Sequence, residues 1–173
     1  MARRPGYARN FTISPDATLG KPQANKALIN ISDEHYRRLK RSHFDGQQFG
    51  LSKNEDAKNF LRREIYALGL SYLANPPRWA VSELVAKIRV SQTTRMEALE
   101  NVFHSLLMSV YEEDDPISRQ ERWLMARELE YARRHNVPPE FLCGFLYQSG
   151  GRKNLLKKLE AGYIEPAFRD SDA

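Results

Sequence analysis

The chain has 173 residues, a formal net charge of +5 and a sequence pI of about 9.4. Apolar residues make up 41% of it, enough to bury a core, and the 28% charged fraction excludes a wholly disordered chain. The basic balance favours a polyanionic partner, nucleic acid before an anionic membrane. A single cysteine, Cys143, excludes an intrachain disulfide and a cysteine-rich zinc site, and it fits a cytoplasmic location. Met1 to Asn10 carries Arg3, Arg4 and Arg9 with no apolar run behind them, so no secretory signal is expected. No stretch approaches the roughly 18 to 20 apolar residues of a membrane span, so no membrane partner is expected.

Residues 1–25 hold Pro5, Gly6, Pro15, Gly20 and Pro22 with little periodicity. They read as a basic flexible arm whose Arg3 and Arg4 are available to DNA phosphates. Residues 26–74 form the first patterned unit. Ala27, Ile29 and Ile31 alternate with Lys26, Leu28 and Asn30, which predicts a short half-buried strand. Ser32, Asp33 and Glu34 then supply an N-cap and an acidic first turn for a short helix carrying Tyr36 and Leu39. Ser52 and Glu55 form a capping box, and Ala57, Phe60, Leu61, Ile65 and Leu68 predict a longer helix ending near Leu73.

Asn75-Pro76-Pro77 opens a linker over 75–84. In residues 85–136 the order repeats. Ile88 and Val90 alternate with Lys87 and Arg89 as a second strand, and Ser91 caps a helix through Met96, Leu99, Phe103 and Leu107 to Val110. The acidic run Glu112 to Asp115 reads as a solvated loop. Ser118 and Glu121 restate the capping box for a helix with Leu124, Met125, Leu129 and Ala132. Residues 137–173 are a C-terminal helical extension: Pro138-Pro139 starts a short helix, Gly150-Gly151 breaks it, and Arg152 to Ala161 is amphipathic. Glu165 onward is expected to fray. Phe141, Leu142, Phe145, Leu155 and Leu159 give this extension an apolar stripe available for self-association or a protein partner.

A lone strand needs a partner strand for its backbone groups, and two such units supply one to each other. Residues 26–73, through Ala27-Leu28-Ile29-Asn30-Ile31, Ser32-Asp33-Glu34 and Leu51-Ser52-Lys53, resemble a ribbon-helix-helix unit of the MetJ/Arc/CopG superfamily. Residues 85–135 resemble a second, divergent unit. The tandem order is similar to single-chain members among accessory proteins of conjugative DNA transfer. The resemblance implies a mostly α fold whose two units share a two-stranded antiparallel ribbon. It further implies a sequence-specific double-stranded DNA-binding protein, a transcriptional regulator or DNA-transfer factor, with the ribbon in the major groove. The outward residues Lys26, Leu28, Asn30, Lys87, Arg89 and Ser91 would read bases. Ser52, Lys53, Asn54, Ser118, Arg119 and Gln120 would hold phosphates at helix starts, where free N–H groups attract anions.

Two rivals remain open. Ser82 to Thr94 also resembles a helix-turn-helix, with Gln92, Thr93 and Arg95 as readers. A protein-interaction adaptor of antitoxin-like kind is the other. The histidines His35, His43, His104 and His135 lack metal-ligand spacing. Gly150-Gly151-Arg152-Lys153 precedes a helix and is a weak phosphate-cradle signal. No nucleophile–base pair, paired catalytic carboxylates or cofactor motif is evident, so neither an enzyme nor a bound cofactor or metal is expected.

Overall fold

Ala24, Leu28, Ile31, His35 and Arg38 recur at alternating steps of four and three residues, and all five are buried. That spacing is one face of an α-helix. A computed structural model describes residues 19–42, 50–74, 101–111 and 115–168. In it, Lys21–Lys40 is the first helix, α1. Gly20 precedes it, its N–H donating to Gln23 Oε1 at 2.7 Å, and Pro22 sits in the first turn where no intrahelical donor is needed.

The strand expected over residues 26–32 is therefore corrected. The described residues contain no strand at all, so the shared ribbon and the two ribbon-helix-helix units built on it fall with it. A strand would have buried Ile29 beside Ile31; Ile29 is 59% exposed and Ile31 1%. Ser32, expected as an N-cap, lies mid-helix with its hydroxyl donating to the Ile29 carbonyl at 2.8 Å. Of the expected base readers here, Leu28 is buried in the core, Lys26 is exposed and Asn30 is half-buried. The arm also ends earlier than expected, since residues 21–25 belong to α1. Residues 1–18, including Arg3 and Arg4, and residues 75–100 lie outside the described residues. Those last include the expected linker, Lys87, Arg89, Ser91 and the alternative readers Gln92, Thr93 and Arg95.

The second helix, α2 (Lys53–Ala74), starts where expected, with Glu55 N–H donating to Ser52 Oγ at 3.1 Å. Phe60, Leu61, Ile65, Tyr66 and Leu68 are buried around most of its circumference. A helix apolar on all sides is a central one. The third helix, α3 (Val102–Val110), packs so closely on α2 that a Cβ on Gly69 would lie 2.4 Å from Phe103 Cε1. The Tyr66 and Phe103 rings stack with centroids 5.6 Å apart. α3 does not run on from Ser91: Asn101 is extended and caps it, accepting from Phe103 N at 3.0 Å and His104 N at 3.2 Å.

Ser118 caps the fourth helix, α4 (Arg119–Arg134), as the capping-box spacing predicts. The C-terminal extension is a short 3₁₀ turn (Pro139–Phe141), then α5 (Leu142–Gln148) and α6 (Gly151–Glu160). Leu142, Phe145, Leu155 and Leu159 join the same core as Leu28, Leu61, Phe103 and Leu129. Their apolar stripe is thus spent inside the fold, and of the residues expected to mediate self-association only Phe141 is exposed. The end does not fray at Glu165. Its carboxylate accepts from Tyr131 OH at 2.8 Å and Lys158 Nζ at 2.6 Å, and Phe168 packs on His135 and Phe145. No described helix is long and apolar enough to cross a membrane.

Candidate nucleic-acid interface

Ion pairs fix how the helices are aligned. Lys58 of α2 meets Glu121 of α4 at 2.9 Å, and Arg62 meets Glu128 at 3.0 Å. Further along, Tyr66 OH donates to the Val137 carbonyl just past α4 at 2.8 Å. Contacts that advance together along both chains mean that α2 and α4 point the same way. For α6, Arg152 at its start bonds Glu121 and Glu128, and Arg134 near the end of α4 donates to the Leu159 carbonyl near the end of α6. So α6 shares that direction. α1 runs opposite, because Arg38 and Arg41 at its end both reach Asp56 in the first turn of α2.

One end of the bundle therefore carries three helix starts and the basic end of α1. Each helix start presents unpaired N–H groups and roughly half a positive charge. Ser52 and Ser118 take up one N–H each, while α6 begins at Gly150 (φ +98°) and Gly151 (φ +77°) with no side-chain cap. A left-handed backbone at both positions is what the two glycines allow. The six expected phosphate ligands Ser52, Lys53, Asn54, Ser118, Arg119 and Gln120 all fall on this end. The Gly150-Gly151-Arg152-Lys153 segment joins them as a third helix start. Lys53 Nζ donates to the Arg41 carbonyl at 3.3 Å, drawing Arg41 and Lys40 alongside.

Glu121 holds this end together. Its oxygens accept from Arg152 Nη1 at 2.7 Å and Nη2 at 2.8 Å, and from Lys58. Burial alone would raise its carboxyl, but the Arg152 and Lys58 hydrogen bonds and charges outweigh burial and hold it at about 2. Glu128, seven residues or about two turns further on, is 3% exposed and bridges Arg62 and Arg152. Sequence reading missed this clip. Its signal was present: Glu121 and Glu128, seven residues apart, lie along the same side of α4 as buried Met125, Leu129 and Ala132.

Among the described residues burial withdraws four acids and three arginines, Arg38, Arg62 and Arg122, from the surface. Glu34, Asp56, Glu64 and Glu128 are buried. Among the described residues that leaves sixteen accessible Lys and Arg side chains against eight accessible Asp and Glu. Among the described residues the exposed acids on the basic end are Glu55, which lies 3.4 Å from Arg62, and Asp115; Glu112 to Asp114, expected as part of a solvated acidic loop, lie outside the described residues.

A second polar cluster lies inside, between α1 and α3. Tyr111 OH donates to the Ser32 carbonyl at 3.1 Å, so its oxygen is left to accept from His35 Nδ1 at 2.7 Å. Burial, aided by Arg38, lowers the His35 imidazole to about 4 and keeps it neutral. Glu64 on α2 is 5% exposed, and its Oε2 has no hydrogen-bond partner among the described residues. Burial raises its carboxyl to about 7, against the opposing pull of Arg63 and Arg38. Among the described residues no group of three or more His, Cys, Asp or Glu side chains is placed to hold a metal ion.

Comparison with protein-family models, curated proteins and solved structures finds no match.

Proposed function

We propose that this chain binds duplex DNA by gripping its phosphate backbone with the basic end of the bundle. The convergence of the α2, α4 and α6 starts with Lys40, Lys53, Arg119 and Lys153 is the observation that carries this reading. Helix starts are anion sites, and several around a cluster of lysines and arginines suit a polyanion better than a single small ion. The reading keeps the expected phosphate ligands and gives up the ribbon as base reader. It assigns the protein to the cytoplasm, with its DNA.

The experiment is a fluorescence-anisotropy titration against a random-sequence blunt duplex over a range of salt. The triple variant Lys53→Ala/Arg119→Ala/Lys153→Ala runs beside the wild type. Each lost phosphate contact should flatten the slope of log K against log [salt] by about 0.9, so the variant should lose about 2 to 3. Equal slopes and equal affinities for the two proteins would sink the proposal.

A further inference from the structure

Two aromatic side chains near the start of α6 are the most exposed large apolar groups among the described residues. Phe141 is 65% exposed and Tyr147 86%. Phe141 closes the 3₁₀ turn just before α5, and Tyr147 lies six residues on within α5, with exposed Gly144 midway; Leu142, Phe145 and Leu146 are buried. Along a helix, six residues rise about 9 Å and turn the side chain about 120° around the axis, with the third residue between the two directions.

Gly144 is the second observation. It sits inside a helix, where glycine costs about 1 kcal/mol relative to alanine. Nothing in the packing requires it, since a Cβ there would meet no atom within 4 Å. Its effect is to leave no side chain on the strip between the two rings. Exposed Gln148 supplies an amide beside Tyr147. The strip is continuous with the basic end, because Gly150 N–H donates to the Tyr147 carbonyl at 3.3 Å, and Gly150-Gly151 leads directly into Arg152 and Lys153. On its other side Arg63 of α2 reaches Cys143 Sγ at 3.8 Å. Glu140 is the exposed acid next to Phe141.

We infer that the Phe141–Gly144–Tyr147 face is a stacking platform for unpaired nucleobases, entered from the phosphate-binding end. Aromatic rings accept any base through its π face, while the adjoining cations follow the backbone. The inference rests on the proposed DNA-binding end and narrows its ligand to DNA carrying a single-stranded stretch next to duplex.

The test compares a blunt 20-base-pair duplex with the same duplex carrying a ten-nucleotide single-stranded tail, by anisotropy at fixed salt. Wild type should bind the tailed DNA more tightly. Tyr147→Ala and Phe141→Ala should each cut tailed-DNA affinity by about 5- to 150-fold, the range for one stacked base, and leave blunt-duplex affinity unchanged. Gly144→Leu keeps both rings and favours the helix; it should remove the tail preference as well. Far-UV circular dichroism of each variant checks the fold. Equal wild-type affinity for tailed and blunt DNA would overturn the platform and leave the phosphate-binding end standing. Wild-type failure to bind either DNA would overturn both. Variants that alter sedimentation mass but not tailed-DNA binding would make this face a protein interface and overturn the platform.

Discussion

Glu64→Gln should stabilise the protein at alkaline pH and do little at acid pH. Glu64 is 5% exposed, its Oε2 lacks a hydrogen-bond partner among the described residues, and burial raises its carboxyl from 4.5 to about 7. In the unfolded chain this group ionises at its ordinary value. Below pH 4.5 both states hold the proton, and there is no penalty. As pH rises from 4.5 to 7 the unfolded state releases the proton first, so stability falls. Above 7 the loss is complete, and 2.5 units at about 1.4 kcal/mol per unit give about 3 kcal/mol. Glutamine keeps the shape without the charge. Urea unfolding followed by circular dichroism at pH 4.5 and pH 8 measures the difference. The expected gain is about 3 kcal/mol at pH 8 and well under 1 at pH 4.5.

His35 gives the same variant a second signature. Its lowered value, about 4 against 6.5, makes it a group whose stabilising effect is lost as pH falls from 6.5 to 4. In the wild type the two trends oppose each other between pH 4.5 and 6.5. Removing Glu64 exposes the His35 trend, so the variant's stability should climb steeply across that window. A gain that is equal at both pH values, or a loss at pH 8, would refute the reasoning.

Other substitutions probe the packing. Gly69→Ala places a Cβ 2.4 Å from Phe103 Cε1 and should cost about 1 to 3 kcal/mol in urea unfolding, despite alanine's better helix propensity. Pairing it with Phe103→Leu should recover part of the loss. Glu128→Ala strands Arg62 and Arg152 without their shared carboxylate, and a loss of about 3 to 5 kcal/mol is expected by the same assay. Asn101→Ala removes the one side-chain oxygen that accepts from two N–H groups at the start of α3 and should cost about 1 kcal/mol.

The parts of the fold set by local chemistry were legible in the sequence. Ser52 and Ser118 cap α2 and α4 because a hydroxyl three residues before a glutamate offers the free N–H groups a nearby acceptor. Pro138-Pro139 and Gly150-Gly151 punctuate the chain where backbone sterics require it. The stretch 26–32 misled because its alternation is only seven residues long and rich in β-branched isoleucine. The competing helical stripe runs from Ala24 to Arg38, and two of its five members, His35 and Arg38, are polar. A polar residue earns a place in a core only through distant partners such as Asp56 and Tyr111, which no local window contains.

The candidate interface divides in the same way. The phosphate ligands at the two capped helix starts were legible, since a capping sequence is also an anion-binding sequence. Their meeting on one end was not, because it depends on Glu121 joining Lys58 to Arg152 across three helices. Tyr147 and Gly144 drew no attention for a related reason. Which side of a seven-residue helix faces out is decided by the neighbours that cover the other side.

The most direct measurement asks whether DNA affinity depends on where positive charge sits rather than on how much there is. Two variants of equal net charge serve: Lys53→Ala/Arg119→Ala/Lys153→Ala at the basic end, and Lys26→Ala/Arg133→Ala/Lys157→Ala away from it. Blunt-duplex affinity at fixed salt should fall at least tenfold further for the first than for the second, if each phosphate contact adds about 1 kcal/mol or so. Equal losses for both variants would reduce the binding to net charge and contradict the account.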